Sequence, residues 1–435
     1  MIDAMPSFLN GAGIDKNRRD QNYTILKTFQ DGIVEREDGG ARRYRTVFVS
    51  AQSFRRMLRH TMLQETGWKE SQMRALSNNS EGYTNKAGTE RDPVDYFEDD
   101  VFGYFFTQPG AGKGASGKGE TVEERGLEIV DEDDIDNEDT EAETEDGHEV
   151  AKLKKEPARI KTVSRTSPLS TSILVGLRKD GWEGKTESFV SLTEGTPLPY
   201  STQFANTPFT GIFSLNCARL CRYTNVGDRI ELDNQLVKKY LDSKTIVELE
   251  AEQPEYYSLE TAIVENIKTK GKNKGKPEKK EVFTPKKKYG KVYELVDAAQ
   301  TRRERATAVI TSLAVLRGGA KQAAFETDVS PKVLIMAGLV CGNPIFNTLF
   351  EDDSGGGNRG KTVSINVQAL KEIADDYRDR ICTPVFIGIR TGFIKNENEV
   401  RNSLSRNDDF IVTTPIGAAQ QLCHMLADGP PTTSR

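Results

Sequence analysis

Four polar side chains in this 435-residue chain recur at a spacing that suits a phosphate backbone. Gln52, Arg55, Arg56 and Arg59 stand at i, i+3, i+4 and i+7. On a helix these positions form one stripe, while Phe54, Met57, Leu58 and Thr61 take the opposite side. Arginine presents a planar fork that can bond two oxygens at once, so three guanidiniums beside an amide can grip phosphates. Neither Arg55 nor Arg56 has an acidic residue three or four positions away, so the stripe is not neutralised within its own helix. The competing reading is a solvated amphipathic face.

Residues for covalent or metal chemistry are sparse. The three histidines, His60, His148 and His424, form no His/Cys cluster with zinc spacing, and no GxSxG nucleophile elbow occurs. Five cysteines (Cys217, Cys221, Cys341, Cys382 and Cys423) lack CxxC spacing and read as reduced thiols in a cytoplasm. The segment 355–362, GGGNRGKT with Lys361, does satisfy the phosphate-loop pattern. Yet Glu351, Asp352 and Asp353 precede it, and Val363, Ile365 and Val367 then alternate as in a strand. A phosphate loop needs a strand before and a helix after, so this reads as a glycine-rich turn. Residues 112–119 are a weaker look-alike. The expectation is no enzyme, no cofactor and no resident metal, although a single carboxylate can hold Mg²⁺.

The elements that must position the stripe follow from periodicity. Residues 51–65 read as a helix with Ser50 at its N-cap. Short strands are expected at 23–29 and 46–49, an aromatic strand at 101–107, and extended segments at 172–177 and 211–215. Helices are expected at 298–316 and 367–380, and strands at 332–340 and 384–390. The mixture implies an α+β class with helices packed on one face of a sheet. Residues 110–156 are glycine-rich, then acidic, without aromatics or apolar periodicity, and read as a disordered insertion. Residues 268–291, with eleven lysines against two glutamates, read as a flexible arm that grips phosphates.

Charge agrees with a polyanionic partner once it is divided. The net charge is −6, but residues 120–149 hold sixteen acidic residues and one arginine, leaving the remainder at +9. Such a basic body displaces condensed counterions from nucleic acid. The apolar stretches are too short to cross a bilayer, and no secretory signal is visible, so no membrane partner is expected.

The stretch Ser50-x-Gln52-x-x-Arg55-Arg56 resembles the guide-RNA-contacting helix of the backbone subunits of type I CRISPR effector complexes (Cascade), closest to the DevR-like branch of subtype I-B. Similar motifs follow in the same order: Asn10 to Gly13 with Asp15, Asp100-Val-Phe-Gly-Tyr104, Arg165-Thr-Ser-Pro168, residues 203–216, Gly318-Gly-Ala-Lys321-Gln322, and residues 380–392. The chain departs from the branch in beginning after, or with a very short version of, the usual first strand, and in the 110–156 insertion and the 355–362 loop.

The resemblance implies an RRM-like (ferredoxin-like) palm with a finger insertion and a thumb β-hairpin. Residues 1–109 would form the first part of the palm. Residues 157–435 would form the rest, with the thumb at about 197–212, the lysine arm and a C-terminal helix-strand extension. It implies crRNA contacts from Ser50, Gln52, Arg55, Arg56, Arg59, Arg165, Gln203, Phe204, Lys321 and Gln322. Gly318 and Gly319 would allow close approach to the strand. Phe102-Gly-Tyr104 lacks a complete base-stacking pattern, so backbone recognition should dominate. Implied partners are crRNA, the target DNA strand, copies of the chain itself, the large, end-capping and guide-processing Cascade subunits, and a transposition adaptor in some systems. The alternatives are a type III-like subunit cutting target RNA through an aspartate such as Asp15 or Asp20, and a general single-stranded RNA-binding protein.

Overall fold

The computed structural model describes residues 1–14, 23–35, 41–78, 84–107, 162–178, 181–190, 192–267, 277–352 and 363–427. The acidic insertion, the phosphate-loop look-alike with Lys361, and Asp15 and Asp20 lie outside these residues. The class is α+β, with eight helices and several sheets among the described residues. The helices are α1 (Ala51–Thr66), α2 (Phe97–Phe102), α3 (Asn234–Asp242), α4 (Ala298–Ala314), α5 (Gln322–Phe325), α6 (Val367–Asp376), α7 (Glu397–Leu404) and α8 (Pro415–Ala427).

The largest sheet is organised by one long strand, Leu198–Thr210. Its C-terminal half pairs with Ile2–Ser7 and with Leu174–Gly176, which in turn pairs with Ala41–Val49. Its N-terminal half pairs with Glu183–Val190 and, in parallel, with Tyr23–Leu26. A second sheet runs Ile246–Glu248, Lys291–Leu295, Arg222–Val226, Arg229–Ile230, Thr162–Arg165 and Tyr104–Thr107. A third, of Val333–Met336, Val385–Ile389 and Phe410–Thr413, has its own apolar cluster beneath α6 and α7.

Helix α1 forms where its sequence asks for it. The Ser50 hydroxyl accepts from Ser53 N at 3.3 Å, and Gly67 closes the other end at φ 65°. Phe54, Met57, Leu58, Thr61 and Met62 are buried at helical spacing, facing α4.

Two expectations fail locally. The aromatic segment 101–107 is split: α2 runs to Phe102, Gly103 turns at φ 69°, and only Tyr104–Thr107 is strand. A side chain at Gly103 would put its Cβ 2.3 Å from the Arg165 carbonyl oxygen, so glycine is required there. The lysine-rich segment is not a loose arm where it is described. Pro277–Tyr289 pairs along thirteen residues with Glu255–Ile267 as a two-stranded ribbon.

Candidate nucleic-acid interface

The stripe on α1 is divided by its neighbours. Arg55 is half-buried and donates to the backbone oxygens of Leu169 and Phe102, both at 2.6 Å, and to Ser167 Oγ at 3.0 Å. Its guanidinium also lies 5.3 Å from the Phe102 ring centroid. Burial lowers its pKa. Arg59 donates to both carboxylate oxygens of Glu98, at 2.6 and 3.0 Å, and to the Ser71 carbonyl oxygen. Burial opposes the charge on Arg59, but the Glu98 hydrogen bond and charge outweigh it and raise the pKa. Both arginines therefore join α1 to the surrounding loops, and their donors are committed within the fold.

What remains exposed is the other edge: Gln52, Arg56, His60 and Gln64, one helical turn apart. Arg56 makes no hydrogen bond or ion pair among the described residues, and His60 meets Gln64 at 3.3 Å. His60, four positions after Arg56, lies on this edge, an offset plain in the sequence although the histidine has no metal-spaced partner there. Ser50 caps α1, so its oxygen already accepts a backbone N–H.

The glycine loop after α4 lies along this helix. Arg317 N donates to Thr61 Oγ1 at 3.0 Å and the Arg317 side chain pairs with Glu65 at 2.6 Å. Gly318 and Gly319 hold φ near 120° and 113°. An added Cβ would lie 3.0 Å from Met57 at the first and 2.8 Å from Leu9 at the second. The close approach these glycines permit is thus to α1 and Leu9 of the chain itself. Gln322 closes the same loop by donating to the Gly318 and Thr327 oxygens and accepting from Thr327 N. Lys321 is exposed, and its ammonium reaches Thr202 Oγ1 at 2.9 Å and sits 4.9 Å from the Phe8 ring. Phe204 packs 5.8 Å from Phe325, which completes a contact chain from α1 through the loop to strand Leu198–Thr210.

Three site expectations need correction. Arg165 is fully buried, with Asp100 and Glu231 as ion-pair partners, so its guanidinium cannot reach a strand on the surface. Gln203 is buried too, donating to Glu183 Oε1 at 2.7 Å and accepting from Leu26 N at 2.8 Å. The segment 197–212 is not a hairpin by itself. Strand Leu198–Thr210 pairs with Glu183–Val190, and the connection falls at 191–197. The apolar residues at its far end stay exposed: Phe189 at 69%, Leu192 at 49% and Tyr200 at 39%.

Cysteine chemistry is not favoured by these surroundings. Burial, with the nearby Asp100 carboxylate, pushes the Cys221 thiol up to about 12. Burial also raises Cys217, Cys382 and Cys423, keeping each protonated and weakly nucleophilic. Among the described residues, no group of three or more His, Cys, Asp or Glu is arranged to hold a metal, and no helix is long and apolar enough to cross a membrane.

No protein-family model matches the chain, and no curated protein matches it. Among solved structures it is similar to a chain of a "CRISPR RNA-guided surveillance complex", at 10% identity and a TM-score of 0.30, over 97% of this chain and 98% of that one. A chain of a "CRISPR RNA-guided surveillance complex, pre-nicking" aligns at 11% identity and a TM-score of 0.28, again over 97% and 98%. Both TM-scores are below 0.5, so neither alignment carries a functional assignment.

Proposed function

We propose that this chain is a guide-RNA-binding subunit of a CRISPR RNA-guided complex, in which copies coat the strand and leave its bases free to pair with target DNA. The observation that carries the reading is Arg56, exposed and without a partner among the described residues, beside Gln52 on a helix that Arg55 and Arg59 hold in place. A guanidinium held on a rigid helix meets phosphate with little further ordering. Lys321 adds a second exposed cation on the loop packed against the same helix. These groups suit a backbone that is the same for every guide, while base pairing supplies sequence choice.

The finer assignment is a backbone subunit of the type I, DevR-like branch, with an RRM-like palm. It rests on the ordered motifs between Asn10 and Gly392. Sequencing the RNA that copurifies with the expressed chain tests the proposal. Repeat-derived guides are the expected result, and bulk cellular RNA would reject it in favour of a general RNA-binding protein.

In this reading the hairpin Glu183–Val190/Leu198–Thr210 is the thumb, and its exposed apolar end meets the next copy. Phe189→Ser combined with Tyr200→Ser should therefore weaken assembly while short-RNA affinity stays within twofold. Mass photometry on a full-length guide reads the outcome. Wild-type stoichiometry in the double variant would remove the thumb role.

A further inference from the structure

A cavity lies away from α1, on the second sheet. Arg222–Val226 and Arg229–Ile230 form a hairpin across the turn Gly227-Asp228, with Val226 opposite Arg229. Thr224, two residues before Val226, shares their face. With Arg219 and Glu231 these side chains line a cavity of about 480 Å³. The Glu231 carboxylate is already engaged on both oxygens. One accepts from Arg219 at 2.9 Å, the other from Thr224 N at 3.1 Å and Arg165 at 3.3 Å. Arg229 is exposed and donates to Thr166 Oγ1 at 2.6 Å, with no carboxylate partner among the described residues.

We propose that this cavity binds a phosphate monoester, the terminal phosphate of a nucleotide or of an RNA strand. Charge defines the occupant. Behind the cavity, Arg165 and Arg305 are balanced by Asp100 and Glu231, so Arg219 and Arg229 stand in excess at its open end. Asp228, in the turn, does not line the cavity, and counting it still leaves one cation over. A phosphate monoester carries about −1.5 to −2 at neutral pH and offers three strong acceptor oxygens. Two guanidinium forks meet that group better than they meet the single charge of a diester. Phe105 favours a nucleotide over a phosphorylated side chain. It pairs with Ser164, two residues along the strand from Thr162, and Thr162 pairs with Arg229, so Phe105 and Arg229 share a face. Across two strand spacings, about 10 Å, its exposed ring offers a base a surface on which to stack. None of the lining residues belongs to α1 or its glycine loop, so this site stands or falls apart from the guide-binding reading.

The test uses the full chain and Arg229→Gln, because Arg219 also anchors Glu231 and its loss would disturb the fold. Calorimetric titration compares one six-nucleotide RNA bearing a 5′-phosphate, a 3′-phosphate or neither, and AMP against adenosine. In the wild type a terminal phosphate should tighten binding at least fivefold, for the strand, for AMP or for both. Tightening of AMP alone marks a free nucleotide as the source, and tightening of the strand alone marks an RNA end. In Arg229→Gln the preference should fall below twofold, while Arg229→Lys should keep part of it. Thermal unfolding of Arg229→Gln should match wild type, since only the Thr166 contact is lost. Equal affinity with and without the phosphate in every pair would overturn the proposal. So would a preference that Arg229→Gln leaves intact, which would put phosphate recognition elsewhere. A phosphoserine peptide that binds more tightly than AMP and depends on Arg229 would reject the nucleotide.

Discussion

Asp100→Ala should destabilise the chain by about 3–5 kcal/mol, enough to consume much of the stability a domain ordinarily has. Asp100 is fully buried and accepts from three donors. Arg165 pairs with one carboxylate oxygen, while Arg305 (2.6 Å) and Cys221 N (3.0 Å) share the other. Around them, Arg165 also donates to the Arg219 and Arg222 carbonyl oxygens, to Glu231 at 3.3 Å, and lies 4.7 Å from the Tyr223 ring centroid. Arg305 donates to the Pro93 and Val94 oxygens from α4. Two buried cations are thus balanced by two carboxylates, and removing one carboxylate leaves a guanidinium charge uncompensated in the interior. Asp100→Asn keeps the shape but not the charge and should fall between wild type and alanine. Urea unfolding followed by circular dichroism measures both. A midpoint for Asp100→Ala equal to wild type would mean that water reaches the cluster. Because the pairs are buried, raising the salt concentration should not close the gap.

This cluster also shows how far the sequence could be read. Asp100-x-Phe-Gly-Tyr104 and Arg165-x-Ser-Pro168 stood out as motifs, but their role could not be separated from binding on spacing alone. Arginine in a nucleic-acid binder reads as a phosphate ligand, and only a tertiary carboxylate reveals it as an interior ion pair. The same holds for Arg59, whose partner Glu98 is 39 residues away, and for Arg55, which is held by carbonyls of Phe102 and Leu169. By contrast, α1 and α6 were legible because capping, apolar period and length are local properties, and α4 was legible by length and composition although Asp297 makes no side-chain cap bond. The lysine-rich strand was misread because charge dominates its sequence, and only long-range pairing with Glu255–Ile267 reveals it as a strand. Helix α8 was missed although PIGAAQQLCHMLA is apolar enough to pack between α4 and the third sheet.

Arg56→Glu should reduce guide-RNA affinity at least tenfold while leaving stability within about 0.5 kcal/mol, as exposed substitutions usually do. Arg55→Glu should do the opposite first. It removes three hydrogen bonds and places a carboxylate against the Phe102 and Leu169 oxygens, at a cost on the order of 2–4 kcal/mol. A double variant at 55 and 56 would therefore confound folding with binding, and the two positions must be changed separately. Losing one phosphate contact should also lower the salt slope of single-strand binding by about 0.7. That slope separates a direct contact from a distant effect on shape, because a misfolded helix would lose several contacts together. Arg56→Lys keeps the charge but not the fork, so it should retain most of the slope and part of the affinity. The measurement is anisotropy against a guide-length RNA at several salt concentrations, with thermal unfolding of each variant alongside. If Arg56→Glu binds RNA as wild type does, the exposed edge of α1 is only a solvated surface and the interface lies elsewhere on the chain.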